Sequence, residues 1–252
     1  GMNTKLEAMK KAIARLPLVD KVTFSGAVPG EEVATFLSNR RKSDALKQNR
    51  LYEMLVCDPD YIDAYGLQLV AGRGFSEDYG DDVNKLVVNE SAVRNLGLAS
   101  NEEALGEEIE VECTDAPMQI IGVVKDYHQQ ALNKNYTPIM LIHKDKIDWL
   151  PQRYISVVMK SGDPKELVSQ VEEIWHRYFE DSSYDFFFLD QFFDHQYRQD
   201  EVFGVMIGCF TGLAIFISCL GLWVLVMFSC STRTKEMGIR KVLGATRWNL
   251  FY

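Results

Sequence analysis

Residues 202–232 contain no Asp, Glu, Lys or Arg, and this gap of 31 residues without charge constrains the fold more than any other feature of the sequence. The run FGVMIGCFTGLAIFISCLGLWVLVMFSCS begins at Phe203. About 20 apolar residues are enough for a helix to cross the hydrocarbon core of a bilayer. The alternative is a buried core helix of a soluble fold, but such helices seldom run this long without a charged residue. The sequence therefore predicts one membrane-spanning helix.

Gly204, Gly208 and Gly212 recur every fourth residue within the predicted span. Residues four apart lie on the same face of a helix. Small residues are common where membrane helices pack closely against one another. We therefore expect these three glycines to form a helix–helix contact within the membrane.

Charge is distributed unequally on the two sides of the predicted span. Residues 1–201 carry 22 basic and 35 acidic side chains, a net charge of −13, whereas residues 233–252 carry five basic and one acidic side chain, a net charge of +4. Basic residues concentrate on the cytoplasmic side of membrane helices, so residues 233–252 are predicted to be cytoplasmic and residues 1–201 extracytoplasmic. The acidic body also argues against a nucleic-acid surface, which needs clustered Lys and Arg.

The acidic body alternates between helical and strand patterns, which predicts an α+β fold. A helix and a strand are predicted over residues 4–24, and a strand, a helix and a strand (YDFFFL) over residues 154–189. Between them, the runs LQLV, KLVV, EIEV and MQIIGVV indicate a β-rich block. We predict a discontinuous α/β subdomain at residues 1–66 and 138–190, with a β-rich subdomain inserted at residues 67–137.

Local signals mark several element ends in this body. Asp58-Pro59, Asn89 and Asp163-Pro164 are typical of helix starts, because Asp and Asn cap the first turn and Pro fits the first helical position. Residues 26–47 are polar, with Gly-Ala-Val-Pro-Gly at the head, and are predicted to form a loop or mobile excursion.

A long helix is predicted where the body meets the membrane. No proline occurs between Pro164 and Tyr252, so a helix that begins near Phe192 can run without a break into the span. We predict a helical stalk and transmembrane helix at residues 191–232, followed by a cytoplasmic segment at residues 233–252. Such a helix would be a stiff connection between the outer body and the membrane.

The sequence lacks the common motifs for nucleotide binding and for catalysis by a serine nucleophile. It contains neither the phosphate-binding G-x-x-x-x-G-K-[ST] loop nor a G-x-S-x-G nucleophile motif, and no motif recruits the histidines at positions 128, 143, 176 and 195. We therefore predict that the chain is not an enzyme, has no catalytic residue and needs no cofactor. An extracytoplasmic enzyme is the least favoured class, and a deep pocket lined by convergent ionisable residues would revive it.

Two spacings resemble metal motifs. Asp58, Asp60 and Asp63 are spaced like the start of a calcium loop, but the required Gly and Glu do not follow, so a helix-capping turn is favoured. Glu173 and His176 form one Glu-x-x-His pair, for which a solvated helix face is favoured. No metal site is predicted.

Five cysteines divide between the body and the span. Cys57 and Cys113 lie in the body, where an oxidising compartment permits a disulfide, and two unbonded thiols are the alternative. Cys209, Cys219 and Cys230 lie in or at the span. The sequence alone leaves the pairing of Cys57 and Cys113 open.

Several blocks of the sequence resemble one protein family. The segment RTKEMGIRKVLGAT at residues 233–246 resembles the R-T-x-E-[IM]-G-I-R-[KR]-x-[LV]-G-A signature that follows a membrane span in the MacB/FtsX-like permeases of ABC transporters. VVNESA at residues 87–92, IGVVKDYH at 121–128, DPDYIDAYGLQLVAGRGF at 58–75 and GLAIFISCLGLWVL at 212–225 are similar to further blocks of this family, especially its Bacteroidetes-type members.

The resemblance implies an extracytoplasmic core domain between a first and a second span, made of a porter-like α/β part and an inserted β-rich part. The first span is missing from this sequence, Gly1-Met2 resembles the scar of tag cleavage, and the chain stops at Tyr252 within a helical pattern. We therefore expect the chain to be a piece of a longer protein in the bacterial inner membrane.

The resemblance also assigns a role to the segment after the span, which in such permeases contacts the ATPase. The contact candidates in this chain are Glu236, Gly238, Ile239, Arg240, Lys241, Gly244 and Ala245. Anchoring by positive charge alone is the alternative, but it does not account for the Gly-Ile and Gly-Ala pattern.

The sequence thus predicts a non-catalytic permease subunit of an ABC transporter. A cytoplasmic ATPase would supply the energy, and the outer domain would act on a lipid, lipoprotein, peptide, drug or partner protein. Membrane lipid, a second permease copy and a periplasmic adaptor are further candidate partners. The alternative function is a membrane-anchored extracytoplasmic sensor or ligand-binding module.

Overall fold

The computed structural model describes residues 2–44, 48–130, 135–147, 149–180 and 182–243, with the backbone alone at residues 2–3, 194–202, 236–237 and 240–241. The chain divides into two units, Gly1–Phe188 and Leu189–Tyr252. The helices are α1 (Met2–Ala14), α2 (Tyr61–Ala64), α3 (Glu90–Asn95), α4 (Pro164–Tyr178) and α5 (Leu189–Val242). The strands are β1 (Val19–Ser25), β2 (Phe36–Arg41), β3 (Arg50–Cys57), β4 (Leu69–Gly72), β5 (Lys85–Asn89), β6 (Glu108–Val111), β7 (Met118–Val124), β8 (Ile139–His143) and β9 (Tyr154–Met159). The predicted α+β class and the long helix that follows the body are confirmed.

Two of the predicted helix caps are confirmed. The side chain of Asn89 accepts a hydrogen bond from Ala92 N at the start of α3, and the side chain of Asp163 accepts one from Lys165 N at the start of α4. Gly97, just beyond α3, has a φ of 76°, in the left-handed region that glycine adopts without strain.

The strands form one sheet in the order β2-β6-β7-β5-β8-β3-β1-β9, with β4 paired to β7. Because β2 also pairs with β3, the first six strands of this order close into a circuit. Two pairings in the circuit, β3 with β8 and β5 with β7, are parallel. Strands from both sides of the predicted subdomain boundaries at residues 67 and 137 pair within this one sheet. The division into an α/β subdomain and an inserted β-rich subdomain stays a prediction.

The main core takes alternate residues from all six strands of the circuit. Alternate side chains of a strand point to the same face of a sheet, so one face of every strand lines a shared apolar interior. The residues that each strand contributes are Leu37; Tyr52, Met54 and Val56; Leu86 and Val88; Ile109 and Val111; Met118 and Ile120; Met140 and Ile142. Ala92 and Val93 of α3 pack against the same interior.

A separate core lies where α1 and α4 pack with β1 and β9. Met9 and Ile13 of α1 and Leu167 and Ile174 of α4 are buried together with Val22 of β1. This part of the unit has its own apolar cluster, distinct from the interior of the six-strand circuit.

The prediction that residues 26–47 form a loop is wrong at β2. Charged side chains of this strand meet carboxylates in β6 and directly before it, with Arg40 Nε 2.5 Å from Glu110 Oε2 and Arg41 Nε 3.3 Å from Glu107 Oε1. Opposite charges on neighbouring strands stabilise their pairing, so a polar sequence can form a strand where its partners are complementary.

The prediction of a strand at residues 184–189 is also wrong. Residues 183–188 lie outside any strand and helix, and α5 begins at Leu189. The aromatic rings of this segment pack on one another and on α4. The ring centroids of Tyr184 and Trp175 are 6.1 Å apart, and those of Tyr184 and Phe186 are 5.9 Å apart.

Gly122 of β7 approaches the chain beside β4 so closely that a side chain does not fit. A Cβ atom at Gly122 would lie 2.1 Å from the carbonyl oxygen of Arg73. Because that neighbour is backbone, we expect Gly122→Ala to lower the free energy of unfolding by about 2–3 kcal/mol. Gly74→Ala is the control, since its Cβ would meet only the flexible end of Ile62 at 3.2 Å. Chemical unfolding of the detergent-solubilised chain measures both, and equal effects would contradict this account.

Candidate functional site

Helix α5 is continuous over 54 residues. Its segment Phe203–Lys235 is long and apolar enough to cross a membrane, with a mean hydropathy of 2.4 in its most apolar window, none of which is buried. The helix continues beyond this segment to Val242. The predicted span and the first part of the predicted coupling segment therefore belong to one helix.

The predicted coupling residues fall at the end of α5. Gly238 and Ile239 lie within the helix, and the Ile239 side chain is 63% exposed. Glu236, Arg240 and Lys241 also lie within the helix, where the structure describes their backbone alone. Gly244 and Ala245 lie outside the described residues.

The three glycines of the predicted membrane contact lie in the first part of the span. A Cβ atom at Gly204, Gly208 or Gly212 would meet nothing within 4 Å in the described part of the chain. This face of the helix is open to a neighbour, and its role in helix packing stays a prediction.

In the outer unit, two blocks that resemble the permease family meet in one hydrogen-bond network. Asp126 accepts hydrogen bonds from Ser91 N (2.8 Å), Ser91 Oγ (2.9 Å) and Arg94 Nη2 (2.5 Å). Glu90 accepts one from Asp126 N at 3.1 Å. The VVNESA and IGVVKDYH blocks are therefore joined side chain to backbone, which fixes α3 on the end of β7.

Asn89 belongs to the same region and holds three chain segments together. Its Oδ1 accepts hydrogen bonds from Ala92 N and Ile139 N, both at 2.9 Å. Its Nδ2 donates to the carbonyl oxygen of Thr137 at 2.8 Å. Asn89 is therefore both the cap of α3 and a link to the start of β8, a role that the capping pattern alone does not reveal.

A third block contains the aspartates whose spacing resembles a calcium loop, and their carboxylates contact lysines. Asp58 is buried and accepts hydrogen bonds from Phe24 N (2.9 Å), Thr23 Oγ1 (2.5 Å) and Lys10 Nζ (2.6 Å). Lys10 also contacts Asp60. A further ion pair joins Asp63 Oδ2 to Lys21 Nζ at 2.5 Å.

The prediction that Asp58 caps a helix is therefore wrong. The cap position of α2 is Asp60, with no capping hydrogen bond from its side chain. The Asp58 carboxylate instead accepts hydrogen bonds from Lys10 Nζ of α1 and from Phe24 N of β1, so it joins the end of β3 to both elements. Within the described ranges, no group of three His, Cys, Asp or Glu residues is arranged to hold a metal ion.

Burial is the main cause of the shifted pKa values of four groups in the outer unit. Burial raises the pKa of Tyr52 to about 12 and raises the pKa values of Cys57 and Tyr127. Burial lowers the pKa of His143, whose Nδ1 accepts a hydrogen bond from Asp145 N at 3.3 Å. Cys57 and Cys113 are both free thiols, one buried and one exposed. Burial is the largest cause of the pKa shift of each of the four groups, so the shifts follow from the packing of the outer unit.

A folded domain followed by a helix that is long and apolar enough to cross a membrane is the arrangement expected of a membrane-anchored protein. The profile of the MacB-like periplasmic core domain matches residues 4–174, more than half of the chain, and the profile of the FtsX-like permease C-terminal region matches residues 208–252. The chain therefore belongs to the MacB-like periplasmic core domain family and continues into an FtsX-like permease segment.

Two curated relatives illustrate the similarity. The macrolide export ATP-binding/permease protein MacB of Sodalis glossinidius is 24% identical over an alignment of 266 positions, which covers 99% of this chain and 37% of that protein. The ABC transporter permease YvrN of Bacillus subtilis is 22% identical over an alignment of 210 positions, which covers 75% of this chain and 49% of that protein. The chain thus spans less than half the length of these relatives.

A solved structure shares the fold of the outer unit. The extracellular domain of YknZ, a noncanonic ABC-type transporter from Gram-positive bacteria, is similar with a TM-score of 0.51 at 17% identity, over 69% of this chain and 83% of that chain.

The network around Asn89 predicts a specific sensitivity. Asn89→Ala removes a helix cap and leaves the buried amide of Ile139 without its acceptor, so we expect the free energy of unfolding to fall by about 2–3 kcal/mol. Asn84→Ala is the matched control, because Asn84 is exposed and its hydrogen bonds to Asp81 and Lys146 are exposed as well. Denaturant unfolding compares the two, and a loss below about 1 kcal/mol for Asn89→Ala would count against this role.

Proposed function

We propose that this chain is the non-catalytic permease part of an ABC transporter, in which ATP hydrolysis by a separate cytoplasmic ATPase drives movement of the outer unit. The observation that supports this most directly is the continuity of α5 from Leu189 through the span to Val242. At about 1.5 Å per residue a helix of this size is about 80 Å long, well beyond the roughly 30 Å of a bilayer core. Such a helix reaches out of the membrane on both sides.

A continuous helix is suited to transmit motion because its backbone hydrogen bonds resist bending where proline is absent. A displacement of the segment at residues 233–243 would therefore be passed along the span to Leu189, the residue that follows the outer unit. The coupling residues proposed for contact with the ATPase are those that the family signature identifies, from Glu236 to Ala245. Ile239 offers an exposed apolar contact, and Arg240 and Lys241 offer charge.

The outer unit supports a mechanical rather than a chemical role. Its family blocks, around Asp58, Asn89 and Asp126, form structural networks within the described residues. We propose that this unit acts on a lipid, lipoprotein, peptide, drug or partner protein. A second permease copy, packed through the face of Gly204, Gly208 and Gly212, and a periplasmic adaptor are proposed partners within the bacterial inner membrane and periplasm.

The proposed topology can be tested with the cysteines of the chain. Cys113 is exposed in the outer unit, so a membrane-impermeant maleimide should label it in intact cells, and Cys113→Ser should abolish that labelling. A cysteine placed at the far side by Thr234→Cys, in the Cys113→Ser background, should react only after the inner membrane is opened. Labelling of this second variant in intact cells would contradict a cytoplasmic location for residues 233–252.

The proposed coupling can be tested by reversing charge at the end of α5. Glu236→Lys combined with Arg240→Glu should abolish co-purification of the full-length permease with its ATPase, or reduce stimulation of ATP hydrolysis at least about tenfold, a change of about 1.4 kcal/mol. The matched control is Glu173→Lys with Arg177→Glu, because these residues have the same spacing and form an exposed ion pair of 3.1 Å on α4.

The control pair lies in the outer unit, so its reversal should leave the complex and the stimulation unchanged. An intact, stimulated complex in the Glu236/Arg240 variant would rule out the coupling assignment. If the wild-type permease also failed to bind any ATPase, a membrane-anchored sensor would become the better description.

A further inference from the structure

Strand β2 lies between β3 and β6 and directs alternate side chains away from the main core. Leu37 and Asn39 are buried on the inner side of the strand, so Phe36, Ser38 and Arg40 lie on its outer side. Because β2 is paired on both sides, another chain cannot bind it by adding a further strand. A molecule that binds here has to contact the side chains of the outer side.

An open cleft of about 470 Å³ lies beside β2 on this outer side. It is formed by β2, by the end of β6 and by the connection at residues 112–117 that leads to β7, and Asn49 before β3 also lines it. Two hydrogen bonds fix this connection on β2, because Ser38 N donates to Glu112 Oε2 at 3.0 Å and Glu112 N donates to Asn39 Oδ1 at 3.3 Å. The cleft has the volume of a ligand site and is already formed in the folded unit.

The cleft carries more negative than positive charge. The charged residues that line it in the described part of the chain are three carboxylates and one guanidinium, Glu110, Glu112, Asp115 and Arg40. Arg40 Nε lies 2.5 Å from Glu110 Oε2, so these two charges neutralise each other. Glu112 and Asp115 form no ion pair with any residue that the structure describes. The charge complementary to this cleft is therefore the cation of a Lys or Arg side chain.

Exposed apolar side chains adjoin the cleft. Leu51 of β3 lies opposite Ser38, which lines the cleft, and Phe36 is the diagonal neighbour of Leu51 on the same side of the sheet. Residues at such diagonal positions are about 7–8 Å apart, close enough for large side chains to form one contact surface. Leu51 is 65% exposed and Phe36 is 49% exposed. Covering them with apolar groups would remove unfavourable contact with water.

We propose that the β2 docking face, made of Phe36, Ser38, Arg40, Leu51 and the adjoining cleft, binds an extended segment of a partner protein in which Lys or Arg alternates with apolar residues. The basic side chains would pair with the free carboxylates of the cleft, and the apolar side chains would cover Leu51 and Phe36. From Phe36 to Arg40 the strand is about 13 Å long, at about 3.3 Å per residue, which matches four or five extended residues.

This inference deepens the proposed function and rests on it in one respect, that the outer unit acts on another molecule. It identifies that molecule by its chemistry, a basic and partly apolar segment of a protein. The same face would repel an acidic segment, because Glu112 and Asp115 have no cation of their own among the described residues.

Protection of Cys113 tests the proposal, because its exposed thiol lines the cleft. With the full chain in detergent, we expect the peptide acetyl-Leu-Lys-Leu-Lys-amide at saturation to slow maleimide labelling of Cys113 at least about tenfold, since it would cover the cleft. Mass spectrometry measures the labelling of this cysteine separately from the others. The matched peptides acetyl-Leu-Glu-Leu-Glu-amide, without the cation, and acetyl-Ser-Lys-Ser-Lys-amide, without the apolar side chains, should slow it less than about twofold.

The role of the free carboxylates is tested with Glu112→Gln combined with Asp115→Asn. These changes remove both charges and keep the size of the side chains and an acceptor for Ser38 N. We expect the Kd of dye-labelled acetyl-Leu-Lys-Leu-Lys-amide to rise at least about tenfold, measured by fluorescence anisotropy, which does not depend on Cys113. Glu77→Gln with Asp78→Asn is the matched control, because it makes the same change of charge at exposed residues outside the cleft and should bind like the wild type.

The apolar part of the face is tested with Leu51→Ser, which should raise the same Kd about fivefold because one apolar contact is lost. Leu51 is largely exposed, so this variant should unfold at the same temperature as the wild type. Equal protection of Cys113 by acetyl-Ser-Lys-Ser-Lys-amide would overturn the proposal, because a small cation would then suffice. An unchanged Kd in the carboxylate variant, or no protection in the wild type, would overturn it as well.

These outcomes are separable from a failure of the proposed function. If the peptide binds as expected while the Glu236/Arg240 variant keeps its ATPase, the β2 docking face stands and the coupling assignment is wrong. If the peptide does not bind while that variant loses its ATPase, the proposed transport function stands and the docking face is rejected.

Discussion

Strand β2 pairs on both sides, with β3 and with β6, and the architecture of the outer unit depends on this double pairing. Without it, the six strands would form an open sheet with two long edges. With it, alternate residues of every strand face one shared interior, where Met54, Leu86 and Met140 and their neighbours are excluded from water. The strand that closes the circuit is also the most polar of the six, and it is stabilised by ion pairs to β6, such as Arg40 with Glu110. Closure by charge pairs leaves the apolar residues of the other strands free to fill the core.

The blocks that mark the chain as a member of its family are structural in the outer unit. Asp58 joins β3 to β1 and α1, Asn89 joins β5, α3 and β8, and Asp126 fixes α3 to the end of β7. Each is a carboxylate or amide that accepts hydrogen bonds from buried or partly buried backbone amides, which are costly to leave unpaired. These residues link helices and strands that are distant from one another in the sequence. Links of this kind are what the proposed mechanical role requires, because they would let motion imposed at one point be passed on by the whole unit.

Within the described ranges, the segment that can cross the membrane belongs to one helix, α5. Within α5, the apolar segment provides the span and the following residues carry the family signature, without a proline to bend the connection. The outer unit, with its ion pairs and hydrogen-bond networks, is joined to this continuous helix through the segment at residues 184–188.

Patterns that are local in the sequence predict much of this structure. The period of apolar residues, the absence of charge over residues 202–232 and the caps at Asn89 and Asp163 predicted the span, the α+β class and most elements, because these signals depend only on neighbouring residues. Tertiary structure decided what depends on partners: that polar residues 36–41 form a strand, that YDFFF does not, and that Asp58 binds Lys10 and β1 instead of capping α2. A strand exists only if another strand supplies its hydrogen bonds, and a carboxylate binds whichever donors the fold brings to it. Neither can be read from residues that lie side by side in the chain.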